Sequence, residues 1–292
     1  MVPELTRDDM TMLARRPAGR PPARSRPDPV SAVRSLGVAL VAGLVVLTVY
    51  AVFVRNAEGQ RLDQVALDHL GRSVGSRRTI STILDAVTIG GMALALACCV
   101  LVALARRRWA LAVGAVVLVA GSNLTTEFLK HDLLTRPSLG YGDLNSLPSG
   151  HTTVAASMAM AALLVVPSGG RWLVAVTGSV GVAVTGVGTV VAGWHRPSDV
   201  VAGLAVALVW GAAMLAVLAL GHSTEPATSP SGRTLAIVAG LPVAAAVFLA
   251  LGVRPDGSTT DLLVHVVIMG GVATVAAGVL ALYTRMVDAR FR

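Results

Sequence analysis

From Ser35 to Val54 the chain runs for about 20 residues without a charge, enough at roughly 1.5 Å per residue to cross a hydrocarbon core of roughly 30 Å. Comparable apolar segments follow at Ile83–Ala105, Trp109–Leu129, Thr152–Val166, Trp172–Ala192, Val200–Leu220, Leu235–Leu251 and Leu262–Tyr283. The pattern predicts an all-α polytopic transmembrane helical bundle of about eight spans, the segment with Pro242 being the weakest. Only 14% of residues are charged, and the mean hydropathy is +0.72. A soluble domain carries roughly 25% charged residues. The first apolar run is too long for a signal-peptide core and no small-residue cleavage site follows it, so it is expected to remain as an anchor.

Charge then sets the orientation. The chain has 23 arginines and a single lysine, Lys130. With the N-terminus in the cytoplasm, the basic tail, Arg106-Arg107-Arg108, Arg171, Arg233, Arg285, Arg290 and Arg292 all lie inside. The Arg55–Arg78 segment, with five arginines, opposes this assignment. Its apolar residues at roughly helical spacing fit a helix lying on the membrane surface, and an ordinary loop fits equally. Arginines that flank spans form no basic groove, which argues against nucleic acid as a partner. Adjacent Cys98 and Cys99 inside an apolar run suggest packing and neither a disulfide framework nor a metal site. The Ala, Val, Gly and Arg excess suggests a bacterial source with a GC-rich genome, hence the inner (plasma) membrane.

Residues 1–33 are read as a disordered basic tail, 222–233 as a cytoplasmic linker, 234–284 as two additional helices and 285–292 as a basic C-terminal tail. Between them, 34–221 holds six spans, and its polar residues gather in two places. The loop from Lys130 to His151 follows span three and the loop around His195 follows span five, so both emerge on one face, extracytoplasmic in this orientation. Gly178, Gly181, Gly186 and Gly188 of span five allow close helix approach, which would draw the two loops together.

Each loop has its own chemistry. Lys130 and Arg136 are fixed positive charges at a span end, and Pro148-Ser149-Gly150-His151 opens the next span. Ser149 there can cap the helix while free N–H groups face an anion. His195 and Asp199 are four apart with Pro197 in the first turn, a spacing that brings a carboxylate to one imidazole nitrogen and frees the other. Two histidines beside these charges suggest a phosphate site.

The order of Lys130 with Arg136-Pro137, then Pro148-Ser149-Gly150-His151, then His195 with Pro197-Ser198-Asp199 resembles the type 2 phosphatidic acid phosphatase family, membrane lipid phosphatases related to vanadium haloperoxidases. The resemblance covers about Glu127 to Gly203. It implies a six-helix lipid-phosphatase core over 34–221. It further implies that His195 is the nucleophile, Asp199 its orienting partner and His151 the acid for the leaving alkoxide. Lys130, Arg136, Ser149 and the Gly150 amide would hold the phosphate, with no metal and no cofactor. The implied partners are the bilayer and a lipid phosphate: a polyprenyl diphosphate, phosphatidic acid or phosphatidylglycerol phosphate. The sequence is silent on oligomeric state.

Two departures from the family pattern stand out. Five residues separate Lys130 from Arg136 where the family has six, and Gly188-Thr189 replaces the family's Ser-Arg. One lost charge-assisted hydrogen bond, roughly 1.5 to 3 kcal/mol, predicts activity lower by about ten- to a hundredfold. Arg196 is a possible replacement charge. The rival readings are a phosphotransferase, with an acceptor alcohol in place of water, and a non-catalytic lipid-phosphate binding or transport protein. If His151 acts protonated and His195 neutral, activity follows a bell-shaped pH profile.

Overall fold

The computed structural model describes residues 27–70, 80–82, 84, 89–221 and 259–290. These residues are helical, with no strand among them. Helix α1 (Pro29–Val49) starts where the Asp28 carboxylate accepts a hydrogen bond from Ser31 N at 3.0 Å and Pro29 takes the first position. It continues through a wider turn, Tyr50–Val54. Asn56 then caps α2 (Ala57–Leu70) by accepting from Glu58 N at 2.9 Å and Gly59 N at 3.2 Å. A Cβ at Gly59 would lie 1.8 Å from the Val52 carbonyl oxygen, so only glycine lets the chain double back here.

The remaining helices are α3 (Ile89–Ala105), α4 (Trp109–Phe128, extended by a wide turn Leu129–Leu133), α5 (Gly150–Val165), α6 (Arg171–Val191), α7 (Pro197–Leu220) and α8 (Thr259–Arg290). Among the described residues five stretches are long and apolar enough to cross a membrane: Pro29–Val54, Trp109–Leu133, Ser168–Val191, Pro197–Leu220 and Val266–Arg290. The chain is thus a multi-pass membrane protein, but about eight full spans is more than the described residues contain. Helices α3 and α5 are apolar but shorter, and the Leu235–Leu251 segment, the linker and most of the basic tail lie outside the described residues. Ser149 at the start and Pro167 just past the end confine α5 to 16 residues, about 24 Å of helix.

This short helix is the centre of the bundle, packed by α4, α6 and α7, and Met160, Leu163 and Leu164 on it are fully buried. Its N-terminus is tied to that of α7: Ser149 N donates to the Asp199 carbonyl at 2.9 Å, and Thr153 Oγ1 bonds Thr126 Oγ1 of α4 at 3.0 Å. The approach is permitted by Gly203, where a Cβ would stand 2.8 Å from the Ser149 carbonyl oxygen. Of the four α6 glycines, Gly186 packs closely on Val200 of α7 and Gly178 on Ala159 of α5. Gly181 faces open space and Gly188 makes ordinary contact. Helix α8 enters the same core through Val272, Ala276, Leu280 and Tyr283, and a buried Arg171–Asp288 ion pair at 3.2 Å joins it to α6.

The two ends of the bundle differ. One gathers Arg106, bonded to the Val165 carbonyl, with Arg107, Arg108, Arg171 and Arg290, near where Asp28 N meets the Ala219 carbonyl at 2.9 Å. The opposite end holds α2, the 134–149 loop and the α6–α7 turn. Of the two readings of Arg55–Arg78, the helix holds over Ala57–Leu70, and its residues Gln60 and Asp63 are buried against the rest of the protein.

Candidate active site

Helix α6 is stopped by Gly193, whose φ of +76° is a left-handed conformation suited to glycine. Trp194 N and His195 N both donate to the Thr189 carbonyl, at 3.0 and 3.2 Å, folding the turn back over the helix end. Thr189 is wholly buried and its Oγ1 donates to the Gly186 carbonyl at 2.8 Å, so its side chain is engaged within its own helix. Pro197 then opens α7.

Three donors converge on one oxygen of Asp199. Its Oδ2 accepts from Ser146 Oγ at 2.7 Å, from Arg196 N at 2.9 Å and from His195 Nδ1 at 3.3 Å. Asp199 is 1% exposed and His195 8%. A carboxylate on Nδ1 favours the tautomer with the proton there, which puts the lone pair on Nε2 at the far edge of the ring.

His195 lines a cavity of about 680 Å³ together with Lys130, Glu127, Gly150 and His151. The His151 ring stands 5.2 Å from that of Trp194, tilted by 44°. Lys130 Nζ lies 3.7 Å from where a Cβ on Gly150 would sit, which brings the ammonium to the positive end of α5. The rest of the lining is mostly apolar: Met92, Ala93 and Leu96 from α3, Val119 and Ala120 from α4, and Val154 from α5. One space therefore joins a polar end of the Lys130 ammonium, the Glu127 carboxylate, two histidines and helix amides to a long greasy wall.

The other expected residues do not line this cavity. Arg136 is buried behind it; its Nε donates to the Gly142 carbonyl at 3.3 Å and its Nη2 makes no hydrogen bond. Burial, and the nearby Arg196 charge, hold its proton affinity below that of a free guanidinium. Ser149 Oγ accepts from Thr152 N at 3.4 Å and Thr152 Oγ1 at 3.0 Å, so it serves as the cap of α5. Arg196 turns away, its guanidinium donating to Ser146 Oγ at 3.1 Å, Gln64 Oε1 at 3.1 Å and the Tyr141 carbonyl at 3.4 Å.

Several residues in this network carry no sequence signal. Asn145 Nδ2 lies within hydrogen-bond distance of the carbonyls of Lys130, Leu134 and Leu147, at 3.2, 3.0 and 3.2 Å, which holds the loop closed. Asp63 of α2 accepts from Ser198 N at 3.2 Å and from Ser198 Oγ. Its acidity is weakened, with the pKa raised from 3.8 to about 6, first by burial and further by the Asp199 charge, against the Ser198 bonds and Arg196. Only their place beside the motifs could have drawn attention to Asn145 and Ser146, and nothing local distinguishes Asp63. Among the described residues no three His, Cys, Asp or Glu side chains gather as a metal site.

Residues 125–222 match the family model described as PAP2 superfamily, from the end of α4 through α7. The match includes both histidines, Asp199, Lys130 and Arg136, the residues on which the resemblance to type 2 phosphatidic acid phosphatases rests. No curated protein and no solved structure matches the chain.

Proposed function

From a multi-pass membrane chain that carries a PAP2 superfamily segment, which supports phosphatase-type activity on phosphate esters, we propose a lipid phosphate phosphatase that works through a phosphohistidine at His195. The observation that carries this reading is the single cavity whose polar end presents His195, His151 and Lys130 and whose walls are apolar side chains of α3, α4 and α5. A phosphate alone has no use for such walls; a phosphate on an acyl or prenyl chain does.

In the proposed reaction His195 Nε2 attacks phosphorus in line with the bond to the lipid oxygen. The P–N bond forms as the P–O bond breaks, and protonated His151 gives its proton to the departing alkoxide. Asp199 stabilises the positive ring of the phosphohistidine. Lys130 and the amides at the start of α5 meet the equatorial oxygens, where charge is spread in the transition state. Water then attacks phosphorus, neutral His151 takes its proton, the P–N bond breaks and His195 is restored. With the arginine-rich end of the bundle in the cytoplasm, the site opens on the extracytoplasmic side.

The test is phosphate release from detergent-solubilised protein offered phosphatidic acid, phosphatidylglycerol phosphate and a polyprenyl diphosphate, with ³²P-labelled substrate to trap an acid-labile protein phosphate. Turnover and label that both vanish in His195→Ala support the reading; no turnover on any of these lipids overturns it. A binding or transport role has one observation in its favour: among the residues lining the cavity, Lys130 alone carries a fixed positive charge. That role requires lipid-phosphate binding that survives His195→Ala, with no turnover in the native protein.

A further inference from the structure

The inward face of α2 is made by Gln60, Asp63 and Gln64, spaced so that all three project to one side of the helix. Each reaches a different part of the site. Gln60 Nε2 donates to the Pro137 carbonyl at 3.0 Å, directly after Arg136, and to the Val54 carbonyl at 2.8 Å. Gln64 Oε1 accepts from Arg196, beside His195, at 3.1 Å. Asp63 takes both donors of Ser198, the backbone N–H and the hydroxyl, in the first turn of α7.

We propose that α2 is a positioning bracket for the reacting groups, and that Asp63, by holding the first turn of α7 through Ser198, keeps the Asp199 carboxylate set against His195. The N-terminus of α7 is divided between two carboxylates: Ser198 N turns to Asp63 and Arg196 N to Asp199. Without Asp63, the N–H and hydroxyl of Ser198 are left as buried unpaired donors, and Asp199 is the other carboxylate at this helix end. Any movement toward it draws on the oxygen that orients the imidazole. Asp63 is 3% exposed; Asp199 and Arg196 act on it by charge, and the neighbouring side chains are otherwise largely apolar: Val49 of α1, Phe53 of the turn after it, Val201 of α7, and Val267, Ile268 and Val272 of α8. A carboxylate in such a place is unfavourable unless its bonds are made. The three α2 residues are therefore tied at once to the 134–149 loop, to the α6–α7 turn that carries His195 and to the first turn of α7 that carries Asp199.

The bracket rests on the phosphatase reading for its effect on turnover but not for its effect on structure, so the experiment reads both. Full-length native protein, Asp63→Ala, Asp63→Asn and Ser198→Ala are compared in detergent for kcat and KM on phosphatidic acid and for amide hydrogen exchange over residues 194–200. In Asp63→Ala, kcat is expected to fall by about ten- to a hundredfold, the equivalent of one charge-assisted hydrogen bond, with KM changed by less than about threefold. Exchange over 194–200 is expected to quicken by about tenfold while that of α6 is unchanged. Asp63→Asn, whose amide can accept from Ser198 N and donate to Ser198 Oγ, restores the protection and most of kcat. The bracket is overturned if Asp63→Ala leaves both kcat and exchange within about twofold of native, or if Asp63→Asn is as impaired as Asp63→Ala. If native protein releases no phosphate, the phosphatase reading fails and exchange alone decides the bracket. If Asp63→Ala does not fold, Ser198→Ala takes its place: removal of one bond is expected to quicken exchange and lower kcat by about three- to tenfold, and no change in either overturns the proposal.

Discussion

The two sides of His195 are built on opposite plans. On the cavity side, Lys130, Gly150 and His151 surround an open space, and Lys130 Nζ reaches toward the helix N-terminus that the space exposes. On the rear side, Asp199 takes three hydrogen bonds on one oxygen, Arg196 is bonded to Ser146, Gln64 and Tyr141, and Asp63 holds both donors of Ser198. On the proposed function, the contrast separates groups that meet a substrate from groups that hold the others in place. A phosphate is held by donors that face an open space, whereas a carboxylate that orients a base works best when its other bonds are already made.

If the contrast is functional, substitutions on the two sides fail differently. His195→Ala removes the group that both lines the cavity and meets Asp199, and is expected to lower phosphate release by about a thousandfold or more while the protein stays folded, as checked by turnover beside a thermal melt. His151→Ala removes the proposed proton donor and should reduce turnover on lipid phosphates by about a hundred- to a thousandfold. A p-nitrophenyl phosphate substrate, whose leaving group needs no proton, should recover most of that loss; an equal loss on both substrates breaks the assignment.

The rear side shows itself in stability. Folded Asp63 holds its proton up to about pH 6, against 3.8 for an ordinary aspartate, so the folded state binds more protons in that window and stability falls as pH rises through it. Burial is the main cause of the rise and the Asp199 charge adds to it, while the Ser198 bonds and the Arg196 charge oppose it. Asp63→Asn keeps the Ser198 partners without the charge. It is expected to match native near pH 4 and to exceed it by about 3 kcal/mol above pH 6, at roughly 1.4 kcal/mol per pKa unit. Thermal melts at pH 4.5 and 8 read the difference, and a native protein that gains stability between these values contradicts it.

Thr189→Arg sharpens the comparison from the family side. By the family pattern, an arginine at position 189 would strengthen phosphate binding, but Thr189 is fully buried and does not line the cavity. The substitution is expected to cost about 1–3 kcal/mol of stability through overpacking, without raising turnover. Higher turnover in this variant would mean the arginine reaches the cavity after all. The smallest effect is expected from Ser146→Ala, which takes one of three bonds from Asp199: a kcat lower by about fivefold, for about 1 kcal/mol, with KM unchanged.

Much of the fold was legible because membrane spans are selected by composition over a fixed length, and that signal is local. The helices at Trp109, Gly150, Arg171 and Pro197 lie where the apolar runs predict, and His195 with Asp199 forms the expected i, i+4 pair. Among the described residues five stretches have the length of a full span, and the shortness of α5 has a physical reason. A buried central helix needs no lipid-matching length, so α5 can be short between its cap and Pro167 and still look, by hydropathy, like a span.

By itself the sequence determined an all-helical membrane chain with two polar loops brought to one end, and the residue types proposed for the phosphoryl transfer. Helical periodicity and motif spacing act within a few residues, and topology by parity fixes which loops share a face. The tertiary structure alone decided which of those groups see the cavity. It turned Arg136, Ser149 and Arg196 away from it, committed Thr189 to its own helix, and brought Asp63 from 135 residues away to Ser198. Those outcomes depend on how helices rotate and pack about a short central α5, a many-body problem of volume and unmade hydrogen bonds that no local stretch of sequence encodes.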